Sequence, residues 1–282
     1  MRPSSTFSTA VTAGLALLWG APAPAADYRD PGHHFSLTLP VGWRDMSGDA
    51  VSKANEVARQ KFPDQDIRYD HGFLPAGKGA GSFPYILVQV KAGSTKGATY
   101  DDIEKGLRSV GPKIKRMEGS ISDVAKGLSV GEVSLDRAHN RVILRLEMEL
   151  VGVGKVQAIG FGFIGAKGIV FLHCYDRQAD FERSLPVFLA LADSFQYQPG
   201  YEFTPAPSSP LFTWPQMPSW AGSSTMVAAI VGGAVGGLIG VAAVVLQMFK
   251  RKAAPKEDPD LEGRDTRDRP TRRSRSDPED WE

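Results

Sequence analysis

Cysteine is nearly missing from this sequence, because Cys174 is the only one among 282 residues. A single cysteine excludes an intramolecular disulfide, so a folded domain must be held together by apolar packing. Cys174 lies within the apolar stretch 168–175, which favours a buried structural cysteine over a reactive thiol. Its neighbour His173 would point to the opposite face of a strand, so the two cannot act as a nucleophile and its base.

An excess of charge of either sign is also missing. The chain has 33 Lys and Arg against 32 Asp and Glu, for a net charge of +1. Within 27–200 the balance is 22 to 21. This gives no electrostatic reason to expect a nucleic acid as a partner.

Two motifs that carry known chemistry are missing as well, since the sequence has no His-Glu-x-x-His and no phosphate-loop pattern. The glycine-rich segment 77–82 precedes an apolar stretch rather than opening a helix, which indicates a flexible loop. Asp101 and Asp102 fit the start of a helix, and Glu147 and Glu149 fit the polar face of a strand. We therefore predict no catalytic residue and no cofactor, and expect that the protein is not an enzyme.

Histidine offers the strongest hint of a metal site. His33, His34 and His71, together with Asp30 and Asp70, are residue types that bind transition metals. Their spacing matches no closed zinc motif, and adjacent histidines at the entrance of a strand are usually solvated. No metal is predicted, and binding by the three histidines stays an open alternative.

The longest apolar run covers 226–249 and contains no charged residue. At about 1.5 Å per residue it can cross a hydrocarbon core of about 30 Å, so it predicts a transmembrane helix. Aromatic residues precede it and a basic triplet follows it, as at the two interfaces of a membrane. The expected interface anchors are Trp214, Trp220, Lys250, Arg251 and Lys252.

Residues 1–25 resemble a secretory signal peptide. The apolar stretch 11–20 is too short to cross a bilayer, and small residues such as Ala23 and Ala25 follow it. A cleaved signal and the basic triplet together predict a single-pass protein of the cell membrane. Its N-terminal domain would be extracytoplasmic and its C-terminal tail cytoplasmic.

Glycine recurs every four residues in the predicted span, in two adjacent stripes. Such stripes let two helices approach closely, although glycine is also common in membrane helices. We therefore predict self-association, or docking on another span, as a hypothesis. Its residues are Gly232, Gly233, Gly236, Gly237 and Gly240.

Two polar segments flank the span. Residues 201–225 contain five prolines up to Pro218, which predicts an extended linker. Residues 250–282 have ten basic and ten acidic residues and little apolar surface, which predicts a disordered cytoplasmic tail.

Residues 26–200 are long enough for one domain with its own core. Alternating and helical periodicities predict its elements. They are strands at 33–43, 83–91, 142–150, 156–164 and 168–175, and helices at 49–62, 103–117 and 181–195.

The opening FSLTLPVGW and the closing GIVFLHCYDRQADFERSLPVFLALADSFQY resemble the PsbP-like superfamily, which includes the DcrB-type periplasmic proteins. The resemblance spans roughly 33–197. It implies an α+β fold with a central, mostly antiparallel sheet flanked by helices, an α/β/α sandwich. Members of that superfamily are mostly binding or assembly factors without shared active-site residues, so no site residue is implied.

The sequence therefore predicts a membrane-anchored extracytoplasmic module that binds or assembles an envelope protein partner without catalysis. The alternative is a transmembrane sensor or scaffold subunit that recruits a cytoplasmic partner through its charged tail. Expected partners are membrane lipid, an envelope protein and a second copy of the chain through the glycine-rich span. No nucleic acid partner is expected.

Overall fold

The computed structural model describes residues 25–63, 66–79, 81–117, 119, 122–123 and 125–207. Within these residues no helix is both long and apolar enough to cross a membrane. The predicted signal peptide up to residue 24, the span at 226–249 with its glycines and anchors, and the tail lie outside them. The described part is the predicted domain and the first residues of the linker.

The described chain forms ten strands and four helices. The strands are β1 (Ala26–Asp30), β2 (Phe35–Leu39), β3 (Trp43–Asp45), β4 (His71–Pro75), β5 (Tyr85–Ala92), β6 (Ala125–Asp136), β7 (Arg141–Leu150), β8 (Gly154–Gly165), β9 (Gly168–Arg177) and β10 (Gln196–Tyr197). The helices are α1 (Gly48–Lys61), α2 (Tyr100–Leu107), α3 (Val110–Met117) and α4 (Gln178–Asp193). The predicted α+β class with a large antiparallel sheet is confirmed.

Seven strands form the large sheet, in the order β3-β4-β5-β9-β8-β7-β6. Every pairing is antiparallel, and the consecutive strands β7, β8 and β9 form a meander. Leu144 pairs with Gly160, and Phe161 pairs with Leu172. Alternating side chains along these strands reach two separate cores, one on each face of the sheet.

Helices α1, α2 and α3 cover one face, which we call the helical face. Its core includes Leu87 and Phe171 from the central strands and Ile103 from α2. The side chain of Ser47 caps α1, and a capping box between Thr99 and Asp102 starts α2. Asp102 therefore has the role at a helix start that the sequence predicted.

A single helix was predicted at 103–117, and the structure has two there. Helix α2 ends at Leu107, where the hydroxyl of Ser109 donates to the carbonyl of Gly106 (2.7 Å). Pro112 has no backbone N–H to donate to the carbonyl four residues earlier, as a continuous helix would require. The helix therefore restarts as α3. Both pieces pack against β6.

Helix α4 and a second, three-stranded sheet cover the other face, which we call the sandwich face. The small sheet has the order β1-β2-β10. Phe35, Leu37 and Leu39 of β2 are buried, as the predicted alternation requires. The predicted strand 33–43 divides at the Pro40–Gly42 turn, because Gly42 takes a positive φ of 76° and sends β3 into the large sheet.

The sequence patterns did not predict four of the strands, namely β1, β4, β6 and β10. Strand β6 is an edge strand with two register irregularities and mostly exposed or half-buried side chains. It therefore lacks the clean alternation that reveals a strand in a sequence. Strands β1 and β10 are short and complete the small sheet only through tertiary contacts with β2.

The first residues of the predicted linker are packed on the domain. The N–H of Ala166 donates to the carbonyl of Tyr201 (2.8 Å), and the N–H of Ala206 donates to the carbonyl of Ala98 (3.0 Å). Between them Phe203 is buried in the core of the helical face. We call residues 201–206 the strap, and the packed part of the chain extends through it beyond residue 200.

Candidate binding groove

A tight hairpin between β8 and β9 forms one wall of the candidate site. Gly165 pairs with Gly168, so only Ala166 and Lys167 form its loop. Gly168 has a φ of 144°, and a side chain there would run into the carbonyl of Lys91. A side chain at Gly165 would meet the ring of Tyr197 at 2.6 Å. Only glycine fits at both ends of the hairpin loop. The close contacts of Gly165 and Gly168 therefore fix the position of Lys167 in the loop.

The turn between β1 and β2 forms the opposite wall. His34 has a positive φ of 59°, and its ring stacks on Tyr201 with the ring centroids 3.7 Å apart. Its Nδ1 lies 3.2 Å from the side-chain oxygen of Gln198, and its carbonyl accepts the N–H of that residue at 2.8 Å. The turn is thus attached to the segment that leads into the strap.

Between these walls lies a groove with a cavity volume of about 260 Å³, at one end of the two packed sheets. Its floor is apolar, and Val170 on it is 2 % exposed. Its rim is polar, aromatic and basic. The floor residues are Val90 and Val170, with the exposed Ala92 at the mouth, and the rim residues include His33, His34, Lys167, Tyr197 and Tyr201.

Lys167 is the cation of this rim. Its ammonium lies 4.6 Å above the ring of Tyr201, a cation–π contact. Within the described residues it forms no ion pair, whereas Lys91 on the adjacent strand pairs with Asp66 at 2.9 Å. A positive charge without a carboxylate partner therefore stands beside an apolar floor, an arrangement suited to an anionic ligand with an apolar part.

The structure brings together only some of the residues considered as metal ligands. Nδ1 of His33 and Nε2 of His71 both contact Oδ2 of Asp30, at 2.8 and 3.1 Å. His34 points away to the groove, and Asp70 accepts the N–H of Val90 (2.9 Å). The residues brought together form a hydrogen-bonded His–Asp–His cluster. In the described ranges no group of three or more His, Cys, Asp or Glu residues is arranged to hold a metal.

Electrostatics fix the charge of Asp30. Burial by itself raises the pKa of this carboxyl, but hydrogen bonds and charge from His33, with a hydrogen bond from His71, outweigh it and lower the pKa below its usual value. Asp30 also accepts the backbone N–H of His33 at 2.9 Å. This ionised carboxylate fixes the turn that carries His33 and His34 into the groove.

His173 and Cys174 lie on opposite faces of β9, as predicted. Cys174 is fully buried in the sandwich-face core, and burial raises the pKa of its thiol. His173 is fully buried on the helical face, where its Nε2 lies 3.2 Å from Oε1 of Gln89. Burial lowers the pKa of His173 to about 3, so the ring is neutral at physiological pH. Both side chains are parts of the interior.

The groove residues were mostly not anticipated from the sequence. Lys167 and Tyr201 were unremarkable in sequence, and their only signal was the glycine-flanked turn at 165–168 and a proline-rich segment. The groove joins residues distant in the chain, from His34 to Tyr201, and such a juxtaposition has no local pattern.

Comparisons with known proteins concern the fold. No family model matches the sequence, and no curated protein matches it. Among solved structures, the chain is similar to a cyanobacterial PsbP, CyanoP, from Synechocystis sp. PCC 6803, as the sequence resemblance predicted. The match has 13 % identity and a TM-score of 0.41, and covers 66 % of this chain and 97 % of that one.

A second similar structure is the Ran-binding protein Mog1p of Saccharomyces cerevisiae. It is 6 % identical with a TM-score of 0.34, and the match covers 62 % of this chain and 96 % of that one. Both likenesses concern the course of the chain and say nothing about a ligand of this protein.

Proposed function

We propose that this protein is a membrane-anchored extracytoplasmic binding module, without catalysis, and that the groove is where it binds. The observation that carries the proposal is the groove itself. A glycine-fixed hairpin, an apolar floor and Lys167, which has no ion-pair partner among the described residues, meet at one end of the sandwich. Concave apolar sites with a few oriented polar groups are the usual form of binding sites.

The groups around the groove favour binding over a reaction. One ring nitrogen of His33 and one of His71 are engaged with Asp30. The one thiol of the chain, Cys174, is buried in the sandwich-face core. Within the described residues the groove thus lacks a nucleophile paired with a base.

Affinity capture from detergent-solubilised membranes after crosslinking tests the proposal. The variant Ala92→Trp places a large ring at the exposed mouth of the groove, and Lys155→Trp adds the same ring to the exposed start of β8. We expect that partners or ligands captured by the wild-type chain are lost with Ala92→Trp and kept with Lys155→Trp. Equal capture by both variants would contradict binding in the groove.

A second function, a sensor that signals to a cytoplasmic partner, is favoured by the strap. Tyr201 is a wall of the groove and also the first residue of the segment that leads toward the predicted span. A ligand that moves Tyr201 would therefore act on the strap, whose next anchor is Phe203. Binding and the position of the linker are coupled by this single segment.

Deletion of 253–282 separates the two functions. A binding or assembly module keeps its partners without the tail, because they are held by the outer domain. A sensor loses a cytoplasmic partner on this deletion. The same capture experiment with the full-length and shortened chains distinguishes these results.

A further inference from the structure

We propose that the groove binds a small amphiphilic anion, with its anionic group at Lys167 and its apolar part against Val90 and Val170. This inference rests on the proposed function, because it names the ligand class of the same groove. It follows from the size of the cavity, the charge of its rim and the rigidity of its walls.

Size limits the ligand to a compact molecule. The cavity of about 260 Å³ lies just below the roughly 300 to 1,000 Å³ of sites that enclose drug-sized ligands. Its floor is made by residues of the central strands β5 and β9. Aliphatic side chains there offer an apolar ligand dispersion contacts and removal from water.

Charge selects the sign of the ligand. Two carboxylates beside groove residues are already engaged, since Asp30 holds His33 and His71, and Glu202 accepts the N–H of Gly200 (2.7 Å). Lys167 forms no ion pair within the part of the chain that the structure describes. Beside an apolar floor the attraction between opposite charges is stronger than in open water, so an anion is favoured and a cation is repelled.

Rigid walls favour a small ligand over a flat protein surface. Tyr201 is held by the stacked ring of His34 at 3.7 Å, the ammonium of Lys167 at 4.6 Å and the backbone bond to Ala166. A preformed concave site loses little conformational entropy on binding.

Three six-carbon probes test the ligand class against the full-length protein in lipid nanodiscs. Saturation-transfer NMR compares hexanoate, hexanol and hexylamine, with empty nanodiscs to subtract partition into lipid. We expect hexanoate to bind more tightly than hexanol, and hexylamine to bind least. The variant Lys167→Gln should weaken hexanoate about fivefold, a change that corresponds to roughly 1 kcal/mol, without affecting hexanol. The control Lys155→Gln should leave hexanoate binding unchanged.

Equal binding of the three probes, or no effect of Lys167→Gln, would overturn the inference. The capture experiment with Ala92→Trp then distinguishes a failure of this inference from a failure of the proposed function. If hexanoate does not bind but Ala92→Trp still abolishes capture, the groove is a binding site for another class of ligand. If hexanoate binds but capture is indifferent to Ala92→Trp, the anion site exists and the proposed function is wrong.

Discussion

The two faces of the seven-stranded sheet bury polar side chains in different surroundings. The helical face buries His173 and Gln89 among aromatic rings. The sandwich face buries Asp176, which accepts a hydrogen bond from Ser184 of α4, and at the other end of β9 it carries the polar rim of the groove. Polar side chains inside either core thus belong to the structure, whereas Lys167, which forms no ion pair within the described residues, is available to a ligand.

The largest predicted change in stability comes from removing apolar packing on either face. Phe188 of α4 is fully buried on the sandwich face and contacts the aromatic rings of Trp43 and Phe181. Phe188→Ala should lower the free energy of unfolding by about 3 to 5 kcal/mol, and Ile103→Ala on the helical face by about 2 to 5 kcal/mol. Urea denaturation measures both. Glu182→Ala, on the exposed side of α4, should change stability by less than about 0.5 kcal/mol.

The hairpin of the groove gives the next effect. Gly168→Ala places a methyl group against the backbone of Lys91 at a φ that other residues rarely adopt, and should destabilise the domain by about 3 kcal/mol. Gly93→Ala is the matched control, because nothing lies near a side chain there. Equal stabilities of the two variants in thermal unfolding would show that the hairpin is not held rigid by its glycines.

Sequence predicted this fold best where patterns are local. The alternation in β7, the apolar run of β9 and the apolar face of α4 located the central strands and the closing helix. The edge strand β6 has no clean alternation, and β10 depends on a partner more than 150 residues earlier. The groove depends on the same long-range pairing, so its residues could not be recognised together before the fold was known.

A pH experiment tests whether His173 belongs to the interior. Its pKa is about 3 in the folded protein and about 6.5 in the unfolded chain, so below pH 6.5 the unfolded chain binds a proton that the folded one excludes. Its contribution to stability is complete above that pH and is lost as the pH falls toward 3, by about 1.4 kcal/mol per unit. His173→Gln should remove this part of the pH dependence of the free energy of unfolding, measured by urea titration between pH 7 and 4.

Thr95→Val is the control for that slope, since it removes a buried hydrogen bond to Gly165 without removing a titrating group. It should keep the pH dependence of the wild type. If His173→Gln keeps the pH dependence of unfolding of the wild type, then the imidazole of His173 is protonated in the folded wild-type protein. The interior of the helical face would then be open to water.

The smallest effect concerns the turn at the groove. The pKa of Asp30 is lowered in the folded protein, so its carboxylate stabilises the fold above about pH 4 and this contribution is lost as the pH falls through the folded pKa. Asp30→Asn should destabilise the domain by about 1 kcal/mol at pH 7, because its bonds to half-exposed histidines are screened by solvent. The difference from the wild type should shrink as the pH falls through the folded pKa. Asp27→Asn, at an exposed position on β1, should change little at either pH.

Photo-crosslinking in cells tests the central claim, that the groove is the functional site, most directly. A benzophenone side chain replaces Tyr201 in the full-length protein, or the exposed Val151 as a control. The account predicts a defined adduct from position 201, absent from position 151 and reduced by Lys167→Gln, with a mass that distinguishes a small molecule from a protein. Equal labelling from both positions, or none from position 201, would contradict it.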